Sequence, residues 1–233
     1  MPPKLLYASL ITAIVSVIVA PGAGASYAYR VVYTGQCNCT TDGSRATILS
    51  PTLSESTLSQ GDFLDSAVFA VADVNNGIQT GVTYEYQAPE GPSCNLGSSS
   101  PQLYYYVETV SNGVFQCFAN GTATFATGHL QSVVLNNDGY WRAYLDGNSA
   151  GIRVSWNSPM CGNHACEVRA EGEELNNKSG HWPAKFAGSG NTQWQRWTGS
   201  TWFTIQSANQ VPGSNWTFGG PFPTGIWNIT YSK

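Results

Sequence analysis

The sequence predicts an all-β protein built as one sandwich of two antiparallel sheets. Two observations predict it. Beyond the first 25 residues, helical periodicity is scarce, and short alternating or β-branched runs recur instead. Gly, Asn, Asp and Pro separate these runs, as in the turn-like Ser111-Asn112-Gly113, and Asn137-Asp138-Gly139 and Asp146-Gly147 are sequences typical of β-hairpin turns. About ten or more strands at spacings of roughly 8–12 residues are typical of a β-sandwich or a β-barrel.

The composition narrows the function classes. Charged residues make up 10% of the 233 residues, and the formal net charge is −4. The 10 lysines and arginines are scattered without a basic run, which argues against a nucleic-acid partner held through its phosphates. Hydrophobic residues at 42% and aromatic residues at 12% can bury a sizeable core, so the chain is not expected to be disordered.

The N-terminus is typical of a secretion signal. Lys4 precedes an apolar run from Leu5 to Ala20, and small residues at 23–25 form a cleavage motif before Ser26. The alternative is a membrane anchor, for which the run is somewhat short. We therefore expect a secreted chain that is free of the membrane after cleavage.

The predicted division is a signal peptide at 1–25, an N-terminal segment or linker at 26–60, and a β-sandwich domain at 61–233. The Ser/Thr-rich stretch Cys39–Gln60 is only weakly periodic, which favours a linker or a wrapping loop. The predicted strands are Tyr29–Thr34, Ser66–Val71, Ile78–Tyr86, Leu103–Thr109, Val114–Ala119, Thr122–Thr127, Leu130–Asn136, Tyr140–Leu145, Gly151–Trp156, Cys166–Glu173 and Thr192–Ile205.

The even number of cysteines agrees with secretion. Six cysteines in an extracellular chain predict disulfides rather than a metal site, because their spacings are not those of common zinc ligands. Cys161 and Cys166 flank a short loop and are candidates for a local bond, and Cys94 and Cys117 are candidates across a hairpin. Asn-x-Ser/Thr triplets, which accept glycans in a eukaryotic host, begin at Asn38, Asn120, Asn177, Asn215 and Asn228.

Acidic residues are few, and several fall in the stretch 167–174. In a strand, Glu167, Arg169, Glu171 and Glu173 share one face and Glu174 lies on the other. Carboxylates crowded on one face raise one another's pKa, which is typical of an acid/base site. The alternative is a solvated edge strand whose charges prevent aggregation.

A second candidate for a catalytic residue is the glutamine in Ile78-Gln-Thr-Gly-Val82. Alternation places Gln79 opposite the apolar face of this strand. Such a glutamine is usually only a polar surface residue, but within a cleft its amide could donate a hydrogen bond to a developing oxyanion.

The segments 66–73, 78–82, 104–108, 167–171 and 179–183 follow one another in an order that resembles that of the glutamic peptidases, the fungal eqolisins and the neprosin-like prolyl endopeptidases. Ser66-Ala-Val-Phe-Ala-Val-Ala-Asp73 resembles a Ser-Ala-Trp-Val-Gly-Ile-Asp strand, and Ile78-Gln-Thr-Gly-Val82 is similar to Leu-Gln-Thr-Gly-Val. Tyr104-Tyr-Tyr-Val-Glu108 resembles the aromatic strand that follows. Glu167-Val-Arg-Ala-Glu171 has the Glu-x-x-x-Glu spacing, and Ser179-Gly-His-Trp-Pro183 is similar to Ser-Gly-His-Phe-Pro. The resemblance covers about residues 62–187.

The resemblance implies a jelly-roll-like, concanavalin-like sandwich and a secreted endopeptidase that acts on polypeptides at acidic pH. It implies Glu171 as general base and Gln79 as oxyanion stabiliser, with no metal and no cofactor. The supporting residues it implies are Phe69, Asp73, Tyr106 and Glu167. The family tryptophan is replaced by Phe69, an acidic position by Thr83, and Glu173 or Glu174 could take the place of Glu171.

Other functions stay open at this level. Tryptophans at the C-terminal end could stack on sugars in a carbohydrate-binding, lectin-like module, although core packing is the commoner use of such rings. Glu85 or Glu108 with Glu171 could form the carboxylate pair of a glycosidase. A non-catalytic secreted structural or effector protein is the third possibility. We expect a monomer, with glycans as possible partners.

Overall fold

The computed structural model describes residues 26–34, 41–86, 100–175, 178–187 and 193–233. It confirms the predicted fold class, since the described strands form two antiparallel sheets. The predicted signal peptide and the cysteines Cys37, Cys39 and Cys94 lie outside the described residues. No helix in the described part of the chain is long and apolar enough to cross a membrane.

The strands are short and are mostly joined by tight turns. Those in the first half of the chain are β1 (Ser26–Thr34), β2 (Gly43–Leu49), β3 (Thr57–Leu58), β4 (Asp62–Asp73), β5 (Asn76–Tyr86), β6 (Gln102–Ser111), β7 (Val114–Thr122) and β8 (Gly128–Leu135). Those in the second half are β9 (Trp141–Leu145), β10 (Asn148–Val154), β11 (Glu167–Leu175), β12 (Gly180–Ala187), β13 (Gln195–Trp197), β14 (Trp202–Thr204), β15 (Asn209–Val211), β16 (Trp216–Gly219) and β17 (Trp227–Ser232). A single 3-10 turn at Leu53–Glu55 precedes β3.

The first sheet has seven strands in the order β15-β1-β11-β4-β5-β6-β7. The second has ten strands, with β10-β9-β8-β2-β12-β17-β16 as its main path and β3, β13 and β14 paired alongside. In the first sheet, β4 is flanked by β11 and β5. Both edges of β4 are therefore paired, and its residues from Asp62 to Ala72 are buried.

The main core lies between the two sheets and is rich in aromatic rings. The seven-stranded sheet contributes side chains such as Val68 and Ile78, and the other sheet contributes fully buried tryptophans, including Trp182 and Trp227. The indole Nε1 of Trp182 donates to Ser66 Oγ at 2.9 Å and so joins β12 to β4 across the core. A buried indole N–H needs such a partner, because leaving it unpaired would cost free energy.

The hairpins follow the predicted turn residues. Asn112 and Gly113 both have positive φ, at 51° and 78°, between β6 and β7. Asp146 and Gly147 do the same between β9 and β10, at 50° and 80°. Two successive positive φ angles define the turn whose twist matches that of a hairpin, and Asn-Gly and Asp-Gly adopt it at least cost.

Two sequence-based expectations about strands were wrong. The stretch Cys39–Gln60, predicted to be a linker or a wrapping loop, contains β2, which lies inside the ten-stranded sheet between β8 and β12. Ser44, Ala46 and Ile48 alternate inward, but a small polar residue at the first position hides that alternation in the sequence. With β1 paired to β11, the sandwich begins before residue 61.

Other strands differ from the predicted ones in their bounds or were not predicted. Thr122–Thr127 is not a separate strand, because β7 ends at Thr122 and a turn follows. Thr192–Ile205 contains two short strands, β13 and β14, rather than one. Strands β3, β12, β15, β16 and β17 were not predicted, since their segments are short or contain Gly, Asn or Pro.

The predicted local disulfide is present. Cys161 and Cys166 are bonded, with their Cα atoms 5.7 Å apart. Cys117 is also disulfide-bonded. The predicted pairing of Cys94 with Cys117 involves a residue outside the described part of the chain and stays a prediction.

We expect Trp182→Ala to lower the free energy of unfolding by about 3–5 kcal/mol, since it empties a large core site and leaves Ser66 without its donor. Chemical denaturation of both proteins measures the difference. Trp202→Ala, which truncates a half-buried ring in β14, is the control and should cost clearly less. Equal losses for the two variants would contradict this account of the core.

Candidate active site

Antiparallel register aligns side chains in rows across the seven-stranded sheet. One row runs through Arg169 on β11, Phe69 on β4, Gln79 on β5, Glu108 on β6 and Cys117 on β7. Their neighbours along each strand point into the core between the sheets, so this row lies on the opposite face. We call that surface the distal face. Of the predicted residues, Phe69 and Gln79 belong to this row.

The next row brings the second predicted catalytic residue to the same face. It runs through Glu171 on β11, Ala67 on β4, Gly81 on β5 and Tyr106 on β6. A Cβ added to Gly81 would lie 2.1 Å from the backbone oxygen of Ser66, so no side chain fits there. Between Glu171 and Tyr106 the distal face therefore carries only a methyl group and a hydrogen atom.

A third row adds a buried carboxyl group that sequence reasoning did not single out. Asp65 on β4 lies between Glu173 on β11 and Thr83 on β5. Its Oδ2 accepts a hydrogen bond from Tyr106 Oη at 2.6 Å, and its Oδ1 accepts one from the backbone N–H of Glu173 at 3.1 Å. An aspartate inside the apolar sequence of β4 was the signal that could have revealed it.

Gln79 is held by a direct contact. Its Nε2 donates to Oε2 of Glu108, its register partner on β6. Its Oε1 is buried and has no hydrogen-bond partner among the described residues. A shallow depression beside the pair is lined by Gly77 and Val110 as well as by Gln79 and Glu108. The Gln79 amide, 4% exposed, thus keeps one N–H and one carbonyl oxygen for other partners.

Crowding and burial favour protonated carboxyl groups on this face. Burial, and then the neighbouring charge of Glu173, raise the pKa of Asp65 well above its usual range, against the opposing hydrogen bond from Tyr106. Burial, followed by the charges of Glu173 and Glu171, raises the pKa of Glu108 in the same way. Each charged form is disfavoured because it loses water and faces like charge.

A further buried acid lies along β5. Glu85 is 1% exposed, its two oxygens have no hydrogen-bond partner among the described residues, and burial raises its pKa to about 8. Alternation puts it on the distal face with Gln79 and Thr83. It lies six residues from Gln79 along the strand, which is roughly 20 Å at about 3.4 Å per residue.

The remaining supporting residues do not all meet at Gln79 and Glu171. Phe69 is buried beside Gln79. Asp73 instead serves the turn between β4 and β5, where its Oδ1 accepts from the backbone N–H of Asn75 at 2.8 Å. Glu167 forms an ion pair with Arg169, two residues along β11.

The two other candidates for the catalytic glutamate, Glu173 and Glu174, lie on opposite faces of β11. Glu173 shares the distal face with Glu171, whereas Glu174 lies on the core side opposite Leu64. Glu108 and Glu171, considered as a glycosidase pair, are also on the distal face. In the described part of the chain, no group of three His, Cys, Asp or Glu residues is placed to hold a metal ion.

Most of the tryptophans considered for sugar stacking are buried in the core. Trp194, Trp216 and Trp227 are at most 5% exposed, and only Trp197 and Trp202 are half-buried. The ring centroids of Trp197 and Trp202 lie 5.2 Å apart with planes inclined by 44°, so the two rings do not form a flat strip. The geometry does not favour a sugar-stacking platform.

The raised pKa values predict that the protein is most stable in acid. A carboxyl group whose pKa is higher in the folded state stabilises the fold fully below its unfolded pKa, about 4. That stability is lost as the pH rises through the folded pKa. We expect the free energy of unfolding to fall from about pH 4 to pH 7, by at most about 1.4 kcal/mol per pH unit for each of Asp65 and Glu108.

Denaturant titrations at several pH values measure this slope. Asp65→Asn and Glu108→Gln should flatten it, because the amides do not titrate. Glu55→Gln is the control: a hydrogen bond from Lys185 lowers the pKa of Glu55 to about 2, so this carboxylate stays ionised over the whole range. An unchanged slope in both site variants would contradict the assignment.

The fold is similar to those of two peptidases of known structure. The chain is similar to a scytalido-glutamic peptidase solved with a peptide-based transition-state analogue, at 14% identity and a TM-score of 0.53. It is also similar to SCP-B, a member of the eqolisin family solved with the tripeptide Ala-Ile-His, at 13% identity and a TM-score of 0.52. Each alignment covers 90% of this chain and 100% of the other. No family model and no curated protein matches the sequence. The protein thus has the fold of the glutamic peptidases.

Proposed function

We propose that this protein is a secreted, acid-acting endopeptidase of the glutamic type, with Glu171 as general base and Gln79 as oxyanion stabiliser. The observation that carries the proposal is that both side chains lie on the distal face, with only Ala67 and Gly81 between Glu171 and Tyr106 in the row of Glu171. The shared fold supports it, since both similar structures are peptidases solved with peptide ligands.

Glu171 and Gln79 lie diagonally across β4 on the distal face. Glu171 lies two strands and one residue pair away from Gln79. That is roughly 12 Å between backbone positions, at about 4.8 Å per strand and about 3.4 Å per residue. Ala67 and Gly81 leave the row of Glu171 without a bulky side chain on β4 and β5, and Phe69 lies beside Gln79 in the neighbouring row.

The reaction proceeds in two proton transfers. Ionised Glu171 accepts a proton from a water molecule as its oxygen attacks the peptide carbonyl carbon. Negative charge develops on the carbonyl oxygen, and the free N–H of Gln79 stabilises it. The protonated Glu171 then donates to the leaving nitrogen as the carbon–nitrogen bond breaks, which regenerates the carboxylate. Atoms and charge balance without a cofactor.

The surrounding acids suit such a site to low pH. Negative charge near a developing oxyanion opposes its formation, so neutral neighbours favour the reaction. Asp65 and Glu108 are held neutral in acid by burial and crowding, and each lies on the same face as the two proposed catalytic groups. Rising pH adds negative charge to this face.

Digestion of a denatured protein across acidic to neutral pH tests the proposal. We expect cleavage in acid that resists pepstatin, a serine-protease inhibitor and a chelator. Glu171→Gln should lower kcat by about 10²–10⁴-fold through loss of the base, and Gln79→Ala by about 10²–10³-fold through loss of the donor.

Glu55→Gln is the matched control. Glu55 is a glutamate like Glu171, but it forms an ion pair with Lys185 and lies outside the distal face. The Glu55→Gln protein should therefore cleave like the unaltered protein. Full proteolysis by both site variants would overturn the proposal, as would the absence of cleavage at every pH.

A further inference from the structure

We infer that Glu108 is a positioning residue that orients the Gln79 amide, so that its second N–H and its carbonyl oxygen face the reacting groups. The inference rests on the proposed function, because it assigns the orientation of a proposed catalytic side chain. It starts from the hydrogen bond between Gln79 Nε2 and Glu108 Oε2.

The contact determines which end of the amide points where. A glutamine amide offers two N–H donors at one end and one carbonyl oxygen at the other, and a half-turn exchanges them. Glu108 accepts through Oε2 in its ionised form, and in its neutral form when the proton lies on Oε1, on the side of the weak acceptor Cys117 Sγ. The observed arrangement leaves Gln79 Oε1 buried with no described partner, and so able to accept from a water molecule.

The position of Glu108 is itself constrained. It is the register partner of Gln79 on one side and of Cys117 on the other. Its Oε1 lies 3.6 Å from Cys117 Sγ. Cys117 is disulfide-bonded, so its sulfur has no proton to donate and acts only as a packing surface and a weak acceptor. Glu108 is thus held between a fixed covalent link and the amide that it orients.

The groups around Glu108 favour its neutral form. Glu171 and Glu173 on β11 add negative charge, and so does Asp65 on β4 when it ionises. Arg169, the cation of this row, is engaged by Glu167. A neutral Glu108 keeps its hydrogen bond to Gln79 without placing negative charge beside the oxyanion.

The kinetic test compares two substitutions. Glu108→Leu removes the acceptor, and we expect kcat to fall about 10- to 100-fold while KM stays nearly constant, because misorientation weakens transition-state contacts and not substrate binding. Glu108→Gln keeps an acceptor oxygen, and it should restore kcat at acidic pH to within about threefold of the unaltered protein. Glu55→Gln, which changes a glutamate outside the distal face, is the control and should leave kcat and KM unchanged.

The pH profile gives a readout that a purely structural role would not move. As Glu108 ionises with rising pH, its charge should oppose the reaction, so activity of the unaltered protein should decline. Glu108→Gln does not ionise and should stay active to higher pH. Superimposed profiles, or failure of Glu108→Gln to rescue kcat, would overturn the inference.

A spectroscopic measurement separates this inference from the proposed function. In the full chain labelled with ¹⁵N-glutamine, the Gln79 side-chain resonance is identified by its loss in Gln79→Glu. In the unaltered protein and in Glu108→Gln, the Gln79 side-chain amide proton that bonds to residue 108 should exchange with solvent about tenfold or more slowly than in Glu108→Leu. If the protein shows no proteolysis but this pattern holds, the proposed function fails and the positioning role stands. Equal exchange in all three proteins overturns the positioning role whatever the activity.

Discussion

The register of β5 between β4 and β6 is the constraint on which the candidate site depends. It aligns Gln79 with Phe69 on one side and with Glu108 on the other. Because side chains alternate, a slip of one residue would turn Gln79 into the core and bring Ile78 to the distal face. The apolar residues on the core side of β5, such as Ile78 and Val82, prevent that slip, since exposing them would cost hydrophobic free energy.

The crowded carboxyl groups on the distal face cost free energy, which the rest of the sandwich has to offset. Asp65, Glu108, Glu171 and Glu173 crowd on it, and burial disfavours the charged forms of Asp65 and Glu108. The aromatic core between the sheets provides the stability that tolerates them, through fully buried rings such as Trp182. A site of perturbed carboxyl groups on a well-packed scaffold is a common arrangement for acid/base chemistry.

Much of the architecture could be predicted from local sequence. The hairpin turns at Asn112-Gly113 and Asp146-Gly147 follow from residues that tolerate positive φ, and the strand bearing Gln79 follows from its alternation. The strand β2 was missed because the alternation there places Ser44 inward, where its Oγ accepts from the indole of Trp194. A small polar residue is buried at that position because a distant part of the chain supplies a donor, which no local pattern shows.

The same distinction between local sequence and tertiary structure applies to the candidate site residues. By itself the sequence determined most strands of the seven-stranded sheet, several turns and the face on which Gln79, Glu171 and Glu174 lie, because these depend on a period of two and on local backbone preferences. Only the tertiary structure decided which residues meet: Glu108 at Gln79, Asp65 at Tyr106, and Asp73 at a turn instead of the site. Cross-strand partners depend on the order and register of strands far apart in sequence, and these are determined by burial in the whole sandwich.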